Sequence, residues 1–225
     1  MREKWQTGGN SAVLINRSCG TEQYQRSCRT EFWQAVFRAE IDYLSRHLEE
    51  SKDVLSVGCG PAIIETALSG RGFRVTGLDV SREALDRAPD RVRTVAGRAE
   101  DMPFPESSFD AVIYVASLQF VEDYKKALAK TAPVLRPGGK LIIMLLNPAS
   151  AFFQEKFRDP NSYVSNIRHT NLEEIEGVIA EKFHVRAEYF MGVKDGNIVE
   201  SRDAGEAVLY VIKGTRKLMK KDSKA

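Results

Sequence analysis

Asp53-Val-Leu-Ser-Val-Gly-Cys-Gly-Pro-Ala62 and Phe73-Arg-Val-Thr-Gly-Leu-Asp79 decide the fold between them. In the first stretch, Val54, Leu55 and Val57 read as a buried strand that breaks at Gly58 and Gly60 into a turn. An apolar helical run, Ile63 to Leu68, follows at once. The second stretch is another strand, ending in the carboxylate of Asp79. Strand, glycine turn, helix and acid-tipped strand make a nucleoside-binding unit. The glycines let backbone approach a ligand closely, and the acid accepts hydrogen bonds from ribose hydroxyls.

The missing residues narrow the ligand. A dinucleotide fingerprint has a third glycine where this chain has Ile63, and no Gly-Lys-Ser/Thr phosphate loop is present. The ligand therefore reads as a nucleoside without a pyrophosphate, which argues against a nicotinamide oxidoreductase.

Four further features fall in a fixed order. Val-Gly-Cys-Gly-Pro (57–61) is followed by Gly-Leu-Asp-Val-Ser (77–81). Ala-Glu-Asp-Met-Pro-Phe-Pro (99–105) with Ser-Phe-Asp (108–110) comes next, and then Leu-Arg-Pro-Gly-Gly-Lys-Leu (135–141). In these motifs the chain resembles the class I S-adenosylmethionine-dependent methyltransferases, their small-molecule, type 11-like branch above all, over residues 50 to 146. The resemblance implies an α/β, Rossmann-like, doubly wound sheet of seven mostly parallel strands, the last one antiparallel, with helices on both faces. It implies S-adenosyl-L-methionine as cofactor, held by Ser56, Gly58, Cys59, Gly60, Asp79, Val80, Ala99, Glu100 and Val115. Asp79 would take the ribose and Val80 would pack on the adenine. Ala99 with Glu100 or Asp101 would read the purine edge, and Val115 would sit beside the methyl group. Three positions depart from the family pattern. Ser56 stands where an acid is usual, Ala62 where a third glycine is common, and Arg98 where aspartate is common.

The bulk properties agree with one such domain. A chain of 225 residues with 43% hydrophobic content fits a single α/β domain. A net charge of +2 gives no nucleic-acid signature, no apolar run is long enough to span a membrane, and the first residues carry no secretion signal. Three cysteines make no disulfide framework, so a reducing cytoplasm is the expected compartment. Cys19 and Cys28 match no zinc spacing, and no metal site is expected.

Outside the motif region, residues 1–30 read as an N-terminal arm or lid, 31–214 as the methyltransferase domain, 147–170 as a substrate or lid segment and 215–225 as a basic, fraying tail. Trp33, Val36, Phe37, Ile41, Leu44 and Leu48 form one apolar stripe on a helix over 30–47. Further helices are expected over 82–87, with Ser81 as cap, and over 124–132. Strands are expected over 92–96, 111–116 and 140–146, those at 92–96 and 111–116 buried on both faces. An irregular aromatic segment follows from Phe152 to Tyr163. Thr170-Asn-Leu-Glu173 reads as a capping box opening a helix to about 182. Strands at 184–190 and 207–213, joined by a loop or hairpin, end the domain.

The candidates for acceptor chemistry are His169 as a base, with Gln119 and Tyr163 orienting a polar group. Trp33, Phe152, Phe153 and Phe157 are expected to cover the site. Cys59 reads as a small buried thiol. Asn147-Pro148 follows the fifth strand and not the fourth, where base-methylating enzymes carry such a pair. The implied activity is methyl transfer to a small or medium organic acceptor, on oxygen, nitrogen, carbon or sulfur. Two alternatives stay open: a non-catalytic binder of the cofactor or its demethylated product, and a protein- or RNA-modifying methyltransferase docking through the basic tail.

Overall fold

The computed structural model describes residues 30–217. The arm expected over 1–29, with Cys19 and Cys28, and the tail from 218 onward lie outside the described residues. One eight-stranded sheet organises the rest: β1 (Asp53–Val57), β2 (Arg74–Asp79), β3 (Arg93–Ala96), β4 (Phe109–Val115), β5 (Leu135–Leu146), β6 (Phe183–Lys194), β7 (Asn197–Val199) and β8 (Ala207–Arg216). Their order across the sheet is β3-β2-β1-β4-β5-β8-β6-β7. The first five strands pair in parallel, and β8 runs antiparallel to both β5 and β6. The strand added to the expected seven is β7, a three-residue arm folded back on β6 at the sheet's edge.

Six helices cover the sheet: α1 (Glu31–His47), α2 (Ile63–Gly70), α3 (Arg82–Leu85), α4 (Tyr124–Val134), α5 (Ala151–Arg158) and α6 (Leu172–Ala180). Alternation along the strands divides the core in two. Val54, Ile113 and Met144 face α1 and α2 with Leu44 and Leu68. Leu55, Val112 and Ile143 face α4 and α6 with Leu128, Ile175 and Ile179. The order of strands reverses between β1 and β4. In an open α/β sheet such a reversal opens a crevice at the strands' carboxyl ends, where ligands bind.

Several local expectations change. β3 is the edge strand, partly exposed, because nothing pairs with its outer side. The segment after 150 is ordered as α5, since Ser150 caps it by accepting from the Phe153 amide at 3.1 Å. The cap of α6 is Asn171, not Thr170. Its side chain accepts from the Glu174 amide, one residue beyond the expected register. The start of the tail does not fray. Arg216 is buried and donates to the Leu135 carbonyl, and Lys217 donates to the Ala180 carbonyl at 2.7 Å.

Candidate active site

A cavity of about 860 Å³ opens at the carboxyl ends of β1, β2 and β4. Its floor is the glycine turn with Asp79, Val80, Ala99, Glu100 and Val115. Its roof comes from α1, α5, the turn at Tyr163, and residues of β6 and β8 such as Met191 and Leu209. That volume lies within the range of small-molecule and cofactor pockets.

Backbone conformation shapes the floor. Gly58 has φ +77°, and a Cβ there would lie 2.5 Å from that of Ser117, whose hydroxyl donates to the Val57 carbonyl at 2.6 Å. Gly60 has φ +52° and nothing within 4 Å of an added Cβ, so its bare backbone faces open cavity. The Gly60 amide donates to Asp79 Oδ2 and the Ser81 amide to Asp79 Oδ1, each at 2.8 Å. Asp79 thereby ties the turn to the end of β2, and each oxygen keeps a further lone pair for a ligand. Ala62, the residue before α2, sits at φ +57°, a left-handed conformation that a β-carbon disfavours. Cys59 is buried against Gly77, where a Cβ would come within 2.5 Å of its sulfur. Burial pushes its thiol well above the ordinary value, with the charges of Glu65 and Asp79 adding, so no reactive thiolate forms.

The charges at the site differ from the expectation. Ser56 does not line the cavity. It shares the face of β1 that carries Val54, beneath α2, and donates to Glu65 Oε1 at 2.5 Å. The carboxylate that Ser56 holds at the cavity is Glu65, only 2% exposed, and its Oε2 is buried without a hydrogen-bond partner. Burial raises Glu65 to about 7; the Ser56 bond works against this rise and Asp79 adds to it. A second acid, Glu40 of α1, lines the same cavity at 5% exposure. Burial first and Glu65 second raise it to about 8. Arg98, the third departure, bonds Glu100 at 2.9 Å and Glu122 at 3.0 Å, holding Glu100 at the cavity wall. Asp101 turns outward to Lys126.

The acceptor-side candidates separate. Tyr163 lines the cavity, but His169 and Gln119 do not. The His169 ring nitrogen Nε2 meets the Val121 carbonyl at 2.8 Å. The Gln119 amide bridges both backbone groups of Leu146 and the His169 carbonyl. Both side chains join backbone segments outside the cavity lining. Trp33 and Phe152 line the cavity, while Phe153 is in the core and Phe157 is 43% exposed away from it. Phe32, Phe37 and Phe120 complete the aromatic wall. Asn147 is buried, donating to the Ala204 and Ala207 carbonyls. Asp110 of the Ser-Phe-Asp motif lies at the opposite end of the sheet. There it accepts from the Lys52 and Asp53 amides and from Arg136.

Sequence reasoning passed over Glu40 and Glu65. Each interrupts an apolar helical run: Glu40 falls four residues after Val36 and four before Leu44, and Glu65 falls between Ile64 and Leu68. A carboxylate inside an apolar stripe was the available signal.

Residues 55–143 match the family described as a methyltransferase domain. A ubiquinone biosynthesis O-methyltransferase of Xanthomonas euvesicatoria pv. vesicatoria is 31% identical over 154 residues, 63% of this chain and 61% of that protein. A demethylmenaquinone methyltransferase of Tropheryma whipplei is 35% identical over 97 residues, 41% of each. The first relatives compared are matched over 30% to 63% of their own length. Among solved structures, a Thermotoga maritima protein described as a possible histamine N-methyltransferase superposes with a TM-score of 0.74 at 23% identity. That superposition covers 87% of this chain and 95% of that one. A methyltransferase from Archaeoglobus fulgidus superposes at 0.69 with 14% identity, over 87% and 99%. At these identities the likeness is one of fold. The matched segment lies at the centre of that fold, so the chain carries a stretch like a methyltransferase domain, residues 55–143, within a fold shared with solved S-adenosylmethionine-dependent methyltransferases.

Proposed function

We propose that this protein transfers a methyl group from S-adenosyl-L-methionine to a small or medium organic acceptor. The observation that carries this reading is the bond from Gly60 to Asp79, which presets a nucleoside cradle at the sheet's switch point. The charge of the cavity supports the cofactor as well. Six carboxylates line it against two guanidiniums, a field suited to a ligand with an ammonium and a sulfonium centre.

Gly58 and Gly60 would offer bare backbone to the methionine and ribose portions, and Asp79 would accept from the ribose hydroxyls. Val80, 71% exposed, would pack on the adenine, with Ala99 and Glu100 at its edge. Cys59 would line the turn, and Val115 would flank the methyl. Ser56 would act at one remove, holding Glu65 so that its free oxygen meets the ammonium in place of the absent acid. The cofactor supplies an electrophilic methyl group, and the protein's task is to align the acceptor atom with it and exclude water. The aromatic wall with Tyr163 would do the latter. Of the described residues, none forms a helix long and apolar enough to cross a membrane; a cytoplasmic site of action remains part of this proposal.

Calorimetric titration with S-adenosylmethionine and then NAD tests the reading. Saturable binding of the first alone is expected, weakened tenfold or more (about 1.4 kcal/mol) by Asp79→Ala. Folded protein that ignores S-adenosylmethionine would end the proposal. Binding without S-adenosylhomocysteine formation across acceptor panels would favour the non-catalytic alternative.

A further inference from the structure

Glu65 answers the one ammonium that the proposed cofactor carries, which leaves Glu40 unexplained. Glu40 sits in the middle of α1's buried stripe, and its carboxylate has no hydrogen bond or ion pair among the described residues. It faces the cavity together with Glu65 Oε2, also buried and unpartnered. Buried acids are ordinarily paired, and an unpaired one lining a cleft marks a place where a ligand supplies the missing charge. The cationic side chains of the cavity do not meet this need. Arg98 is committed to Glu100 and Glu122, and Arg168 lies exposed at the rim.

The wall beside Glu40 says what kind of cation. Phe32, Trp33, Phe37, Phe120, Phe152 and Tyr163 line the same cavity. Phe32 and Phe152 stack at 5.9 Å, and Phe120 and Tyr163 do likewise at 5.9 Å. Aromatic faces favour organic ammonium groups and apolar bodies. A metal ion would want a third ligand, and no group of three His, Cys, Asp or Glu side chains placed to hold one is assembled among the described residues.

We propose that the acceptor is an organic amine on an apolar or aromatic body, bound through its nitrogen to Glu40 and methylated there. This inference rests on the methyltransferase reading. The amine arrives as an ammonium and gives one proton to the Glu40 carboxylate, which frees its lone pair. That pair forms the nitrogen–carbon bond while the methyl–sulfur pair stays on sulfur. The products are a methylated ammonium and a neutral thioether, and the Glu40 proton leaves to solvent. A Glu40 that titrates near 8 is suited to taking and releasing that proton near neutral pH.

The test is calorimetry on protein saturated with S-adenosylhomocysteine, which cannot react, using a panel of primary amines headed by 2-phenylethylamine with 2-phenylethanol as the neutral control. Wild type should prefer an amine over its alcohol by tenfold or more. Titration in buffers of different ionisation enthalpy should show proton release, as the cation drives Glu40 to ionise. Glu40→Gln should abolish the preference and hold S-adenosylhomocysteine within twofold of wild type, and its melting curve serves as the folding control. Equal binding of amine and alcohol, or an unchanged preference in Glu40→Gln, would overturn the proposal. So would a tenfold loss of S-adenosylhomocysteine affinity in that variant with the amine spared, since Glu40 would then serve the cofactor. Protein that binds S-adenosylmethionine but no amine leaves the methyltransferase reading standing and removes this one. If neither cofactor form binds, the methyltransferase reading fails, and the same amine titration on the bare protein still tests Glu40.

Discussion

The two ends of the parallel strands use acidic side chains for opposite purposes. At the amino ends of β1 and β4, Asp53 and Asp110 are saturated. Arg74 and Arg136 bond Asp53, while Arg136 and two backbone amides bond Asp110. These bonds hold Asp53 at about 2, the Arg74 bond contributing most. They also carry Asp110 below the usual range against the opposing effect of burial. At the carboxyl ends, Glu40 and Glu65 lack cations and titrate well above the usual range. Satisfied acids hold the sheet together; unsatisfied ones cost stability and wait for a ligand.

The contrast breaks first at the amino end. Asp110→Ala leaves the Lys52 and Asp53 amides without their acceptor and should cost about 2 kcal/mol at pH 7. Both folded pKa values lie below those of the unfolded chain, so this stability is full above the unfolded value of 3.8 and is lost as pH falls through the folded values. Urea unfolding of wild type and variant should therefore converge in acid. Equal stability at pH 7 would mean that the clamp does nothing.

At the carboxyl end the sign reverses. Glu40 has a folded pKa above its unfolded value of 4.5, so the protein loses stability as pH climbs from there through about 8. Glu40→Gln removes the titration. It should melt together with wild type near pH 4.5 and increasingly above it up to pH 9, by at least about 1 kcal/mol or roughly 2–4 °C. A variant that melts lower at pH 9 would show that Glu40 has a stabilising partner, and the contrast would collapse.

The smallest effect sharpens the picture of the turn between β1 and α2. Ala62→Gly relieves a left-handed alanine and should add about 0.5–1 kcal/mol of stability. An unchanged or lower midpoint of denaturation would show that the turn is not strained by its β-carbon.

These two ends were unequally legible in the sequence. Gly58, Gly60 and Asp79 could be read because a strand, its turn and the next strand's tip lie within one short stretch. Their contacts are local in the chain. The Asp110 pairing joins residues 57 and 26 positions apart, a separation that the motif Ser-Phe-Asp does not disclose. Glu40 and Glu65 were missed for another reason. An acid within a helix reads as solvent-facing unless its place inside the apolar stripe is weighed. His169 and Gln119 show the converse, since residue chemistry suggests catalysis while backbone partners hold the Gln119 amide and the His169 Nε2 away from the cavity lining. The missed helix α5 was a local failure, because Ser150 in front of Ala-Phe-Phe-Gln-Glu carried the capping signal.

One feature of the sheet bears on how the protein is made. The strand β8, nearest the carboxyl terminus of the described chain, does not join the outside of the sheet but fits between β5 and β6. It brings Val208 and Leu209 to the cavity wall. A chain emerging from the ribosome can pair β1 to β5 as they appear, but its binding chamber lacks one wall until residue 216 is free to insert. Completion of the binding chamber thus waits for β8, and a product truncated before it keeps the nucleoside cradle without this part of the cavity wall.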